Sequence, residues 1–172
     1  MQDFPDALLI LVPRHPERFE EVAKLTHSFV THRRSQNQSI TQKTQIYLAD
    51  SMGELLAWYA LANVVFVGGS LIDVGGHNPI EPASPGKPII MGSYVKNCEL
   101  LVSELKNMDA LTQVDDDVTL YQALFGWLKQ PADCQTLGEK AKKLTLEKQN
   151  AAQIQFDYLK PFLSIDDKIQ QL

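Results

Sequence analysis

Arginine, histidine and carboxylates set among glycines are the groups in this sequence that could do chemistry, and they gather in three short runs. The first is Pro13-Arg14-His15-Pro16. Arg14 stands between an apolar run, Ala7 to Val12, and a helix start at Pro16. A helix N-terminus offers unpaired N–H groups and a favourable dipole to an anion, and an arginine fork adds bidentate recognition of phosphate. Arg14 is therefore either a phosphate ligand or an exposed arginine in a rigid loop. His15 either polarises a phosphate or bonds to the backbone.

The second run is Asp50-Ser51-Met52-Gly53-Glu54. Asp50 or Ser51 sits where a helix N-cap belongs. Gly53 falls in the expected first turn, where glycine weakens a helix, and its lack of a side chain lets a ligand come close to the backbone. Glu54 is either a charge favoured by the helix dipole or a ligand contact.

The third run is Gly68-Gly69-Ser70 followed by Gly75-Gly76-His77-Asn78-Pro79-Ile80-Glu81. Asn78 as N-cap, Pro79 at the first helical position and Glu81 two residues on form a start like a capping box. Capping leaves two glycine pairs around His77 without a reason. A loop that must pass close to a ligand supplies one, and it frees Glu81 to accept hydrogen bonds from ribose hydroxyls, as carboxylates do in dinucleotide sites.

The elements that must position these runs alternate along the chain. Short apolar runs at Ala7–Val12, Ser28–Thr31, Gln45–Ala49, Asn63–Val67 and Pro88–Met91, with a short one near Thr112–Val114, read as strands. Between them lie helical patterns: one starting at Pro16; one using Met52, Leu55, Leu56 and Tyr59; a short turn from Pro79 to Ala83; and three near residues 95–108, 117–129 and 135–160. The last is expected to pack through Ala141, Leu144 and Ala151. This alternation predicts an α/β fold with a parallel sheet and helices on both faces. In such folds ligands bind beyond the carboxyl ends of strands, which is where all three runs fall.

Composition narrows the partners. The chain has 172 residues, suited to one compact domain, and a net charge of -5, which speaks against nucleic acid or an anionic membrane surface. Cys98 and Cys134 are far apart and fit neither a disulfide framework nor a metal site. No apolar run reaches the ~20 residues of a membrane span. There is no G-x-G-x-x-G fingerprint, no P-loop, no metal-binding histidine pattern and no G-x-S-x-G elbow.

Taken together, PRHPERF, the Arg33-Arg34-Ser35 triplet, DSMGEL, FVGGSL and GGHNPIEP resemble, in order and spacing, the C-terminal half of the bacterial 3-deoxy-D-manno-octulosonic acid (Kdo) transferases. The resemblance implies the Rossmann-like C-terminal half of a GT-B glycosyltransferase, with residues 1–172 forming one donor-binding domain. It implies CMP-Kdo as donor, a lipid A precursor as acceptor, and no cofactor or required metal. Acceptor site, catalytic base and membrane anchor would belong to an N-terminal domain outside this sequence. The full enzyme would then work at the cytoplasmic side of the bacterial inner membrane, this fragment being soluble and inactive alone. Carried over by position, Pro13 and Arg14 would meet the CMP phosphate or the Kdo end. Met52, Gly53 and Glu54 would lie against the nucleotide. Asn78, Pro79, Ile80 and Glu81 would contact CMP, with Glu81 on the ribose, and Gly69 and Ser70 would neighbour the leaving phosphate. No residue of this chain is implied as catalytic. A GT-B donor domain for a UDP-sugar and a non-catalytic nucleotide-binding domain are the alternatives.

Overall fold

The computed structural model describes residues 3–162, and within them the side chains of all but 131 and 150–152. The chain divides into two compact units, one ending at Ala62 and the other starting at Asn63.

The first unit has the order β1 (Leu9–Leu11), a 3-10 turn (Pro16–Arg18), α1 (Phe19–Leu25), β2 (Thr31–Arg33), β3 (Ile46–Leu48) and α2 (Leu55–Leu61). Its sheet is all parallel in the order β1-β3-β2, with Leu11 and Arg33 both beside Leu48. Parallel strands need crossovers, and α1 lies in the one from β1 to β2, which leaves room for β3 between them. The central strand β3 is buried throughout and continues into buried Ala49 and Asp50. Tyr47 packs its ring at 5.7 Å from that of Trp58 on α2.

Two expectations shift here. The second strand begins at Thr31 rather than Ser28, because its ladder partner Ile46 faces Thr31, and Phe29 and Val30 stay exposed before the pairing starts. The stripe Met52, Leu55, Leu56, Tyr59 does not form a buried face: Met52 precedes the helix, and Met52 and Leu56 are each 63% exposed.

The second unit contains β4 (Val65–Val67), α3 (Ile80–Ala83), β5 (Ile89–Met91), α4 (Glu99–Asn107), β6 (Leu111–Gln113), α5 (Asp117–Lys129), α6 (Pro131–Leu159) and a 3-10 turn (Lys160–Phe162). Its three strands are again parallel, in the order β4-β5-β6. The central strand Ile89-Ile90-Met91 has no exposed surface, and Val65, Val67, Val102, Leu105 and Leu111 close the core around it. Asp116 opens α5 with a capping box shared with Thr119.

The helix α6 supports α3. Gly138 comes so near the turn after α3 that a Cβ there would stand 2.0 Å from the Gly86 carbonyl oxygen. Ala141 and Leu144 are buried on α6 as expected, and Ala151 lies outside the residues whose side chains are described. Parallel strands joined by helices in both units bear out the α/β fold class.

Candidate functional site

The segments that follow strands carry the candidate site residues, with Ile80 and Glu81 in the first turn of α3. Pro13 and Arg14 follow β1, Met52 to Glu54 follow β3, and Asn78 to Glu81 lie between β4 and β5. The first two groups belong to the first unit and the third to the second.

Pro13 is half-buried and Arg14 exposed. Pro16 opens a 3-10 turn, and α1 starts only at Phe19. The Arg18 N–H donates to the His15 carbonyl at 3.0 Å, closing that turn.

The loop after β3 is built differently from the cap expected of it. Asp50 is 4% exposed and does not cap a helix. Its Oδ2 accepts from the Arg33 guanidinium at 2.7 Å and from the Ser35 hydroxyl at 2.6 Å, and its Oδ1 accepts from the Ser35 N–H at 2.8 Å. Arg33 also reaches Glu20. Burial by itself pushes the Asp50 carboxyl up, but the bonds from Ser35 and Arg33 outweigh it and hold it below its usual value. Four residues on, Glu54 accepts from one edge of the Arg34 guanidinium at two points, Nη2 to Oε1 at 2.8 Å and Nε to Oε2 at 3.1 Å, and also from the Ser51 hydroxyl. The Arg34 bonds, with help from Ser51, lower the Glu54 carboxyl.

Gly53 therefore lies in a loop held at both ends, not in a helical turn. Its φ is +81°, a left-handed conformation that favours glycine, and the space where a Cβ would stand is empty to 4 Å.

The loop between β4 and α3 is also fastened from within. Gly76 N–H donates to the Gly69 carbonyl at 2.7 Å, closing the loop on itself. Ser70 is fully buried, and its hydroxyl donates to the Val67 carbonyl at 2.6 Å and accepts from the Gly92 N–H at 2.8 Å. It is thus a strut joining the ends of β4 and β5, with its hydroxyl already engaged inside the protein. From the segment before α4, Asn97 donates its backbone N–H to Gly75 at 2.9 Å and its amide to the Val74 carbonyl at 3.2 Å. A Cβ on Gly75, whose φ is +91°, would strike that amide at 2.5 Å. The second glycine pair thus has a reason inside the protein, where the sequence suggested only a ligand. Gly68 is the member of the two pairs whose Cβ position is open to 4 Å.

Asn78 does act at the start of α3, though one residue later than expected. Its Oδ1 accepts from the Ile80 N–H at 3.0 Å, and Pro79 takes the cap position. Pro79 is buried, Ile80 and Glu81 are half-buried. Among the described residues none donates to or pairs with the Glu81 carboxylate. Of the two carboxylates carried over as contacts, Glu81 is unengaged and Glu54 is already bound. The capping box expected at Glu81 does not form.

Arg33, Arg34, Ser35 and Asn97 are the residues whose structural roles sequence reasoning missed. A signal was present for the first three: two arginines stand at the end of β2 and two carboxylates follow the adjacent parallel strand, so opposite charges meet at one sheet edge. Among the described residues no three His, Cys, Asp or Glu side chains gather as a metal site, and no helix is long and apolar enough to cross a membrane.

No family model matches the chain. Individual relatives do. A 3-deoxy-D-manno-octulosonic acid transferase of Haemophilus influenzae is 38% identical over 163 residues, 93% of this chain and 38% of that protein. The transferase of Bordetella pertussis is 31% identical over 92% of this chain and 38% of its own length. The chain thus spans under two-fifths of the length of these relatives. The crystal structure of the C-terminal CMP-Kdo binding domain of WaaA from Acinetobacter baumannii matches with a TM-score of 0.79 and 40% identity, covering 84% of this chain and 76% of that one. With a solved domain so similar and matched over most of its length, the chain belongs to the 3-deoxy-D-manno-octulosonic acid transferase family, in the region represented by that C-terminal domain.

Proposed function

We propose that residues 1–172 serve as one donor-binding domain for CMP-Kdo, in a longer glycosyltransferase that moves Kdo onto a lipid A precursor. The observation that carries this reading is the 40% identity to a domain described as binding CMP-Kdo. The unengaged Glu81 carboxylate supports it, since a ribose needs an acceptor with no other commitment. Pro13 and Arg14 would hold the phosphate or Kdo end, Met52, Gly53 and Glu54 the nucleotide, and Asn78, Pro79, Ile80 and Glu81 the cytidine side, with Glu81 on the ribose.

In the transfer, an acceptor hydroxyl forms a bond to the anomeric carbon of Kdo while that carbon's bond to the CMP phosphate breaks. The hydroxyl proton goes to a base outside this sequence, and the electron pair leaves with CMP. Arg14 would stabilise the phosphate charge that departs, which is where fixed charge lowers a barrier most. The acceptor site and any membrane anchor would lie in the remainder of the longer protein, at the cytoplasmic side of the bacterial inner membrane. Calorimetric titration with CMP and UDP tests the donor class. Heat of binding with CMP and none with UDP is expected. Preference for UDP would move the chain to a donor domain for UDP-sugars.

A further inference from the structure

We infer that Arg34 is a positioning residue of the donor site: through its two-point bond to Glu54 it sets the Met52-Gly53-Glu54 loop. The inference rests on the donor-site reading above, because it is that reading which gives the loop a ligand. Its geometry is independent of it.

The loop is anchored twice, and the two anchors differ. At its start, buried Asp50 takes three hydrogen bonds from Arg33 and Ser35. Removing such an anchor leaves both Ser35 donors without an acceptor and the half-buried Arg33 with Glu20 alone, so it belongs to the fold of the unit. At its end, Arg34 and Glu54 form a half-exposed pair. Exposed pairs contribute little to stability. Yet this one has planar two-point geometry, which fixes orientation as well as distance, and Arg34 also donates to Asn37 at 3.2 Å, so the guanidinium is itself held. Ser51 reaches Glu54 from the other side. Between the anchors stands Gly53, in a left-handed conformation with open space at its Cβ position. A loop tip so open and so firmly tied at its far end needs the tie for placement more than for folding.

This separates Arg34 from a stability residue and from a residue that touches the ligand. Stability, ligand-free amide shifts and CMP affinity are to be measured on the chain and on Arg34→Ala, Arg34→Lys, Glu54→Ala and the Arg34→Ala/Glu54→Ala double variant. Arg34→Ala is expected to melt near the unaltered protein, to shift the Met52 and Gly53 amides without ligand, and to bind CMP about tenfold more weakly. Arg34→Lys keeps the charge but not the fork and should fall between. The double variant should bind no more weakly than Glu54→Ala, because Arg34 acts through Glu54. Lys140→Ala, which breaks a surface pair with Asp109, should bind CMP as the unaltered chain does. Unmoved Met52 and Gly53 amides in Arg34→Ala, or additive losses in the double variant, would overturn the inference. If the unaltered chain bound no CMP, the donor-site reading would fall instead, and the ligand-free amide shifts alone would decide whether Arg34 sets the loop.

Discussion

Two carboxylates in the same run are each held by an arginine and a serine, and they differ in burial. Asp50 is buried and completely hydrogen-bonded. Asp50→Ala takes the acceptor from both Ser35 donors and leaves Arg33 only its exposed partner Glu20, and is expected to destabilise the first unit by about 3 kcal/mol in chemical denaturation. The carboxyls of Asp50 and Glu54 both sit below their usual values. A carboxyl whose folded pKa is depressed contributes stability above its unfolded value, and that contribution is lost as pH falls through the folded one. The first unit should therefore hold steady above about pH 5 and lose stability on acidification below about pH 4. A melting temperature flat down to pH 2 would contradict the network. Arg14, by contrast, is exposed and proposed to meet a ligand. In the full-length enzyme Arg14→Ala should lower turnover about a hundredfold while leaving the melting temperature within a degree or two of the unaltered protein. Unchanged turnover would remove it from the mechanism.

At the scale of elements, the sequence located nearly every strand, because each is a short apolar run stopped by proline, glycine or a polar loop. It misplaced β2, since this strand carries Thr31-His32-Arg33, which no apolar run announces. It drew a helix across Met52 and Gly53 because periodicity there ignores what Asp50 and Glu54 bind. Bonds between residues 15 to 20 apart, such as Arg33–Asp50 and Arg34–Glu54, leave no trace in local patterning. The Asn78 cap was legible because it is local, with the acceptor two residues from its donor. The role of α6 was not. Its Gly138 permits contact with the turn that follows α3, and Gly138→Ala would drive a methyl to 2.0 Å of the Gly86 oxygen. The variant is expected to cost about 1–3 kcal/mol and, by displacing α3, to weaken CMP binding. Denaturation and calorimetry on the same sample read both. An unaffected variant would show that α6 does not hold α3 in place.

For the whole molecule, family membership was readable from motifs whose internal roles were not. GGHNPIEP pointed to the Kdo transferases, yet its glycines first serve the loop's own packing against Asn97. A motif can mark a family through residues that shape a loop as well as through residues that touch a ligand. The chain spans 38% of the Haemophilus relative, and the proposed base and acceptor site lie outside it. Incubated alone with CMP-Kdo and acceptor, it is expected to release no transfer product, and turnover by the 172-residue chain would place a base within it. The most direct test of the donor-site account is a residue-resolved chemical-shift titration with CMP. The account predicts saturable shifts at Arg14, Gly53 and Glu81. Saturation of binding with those three amides unmoved would contradict it.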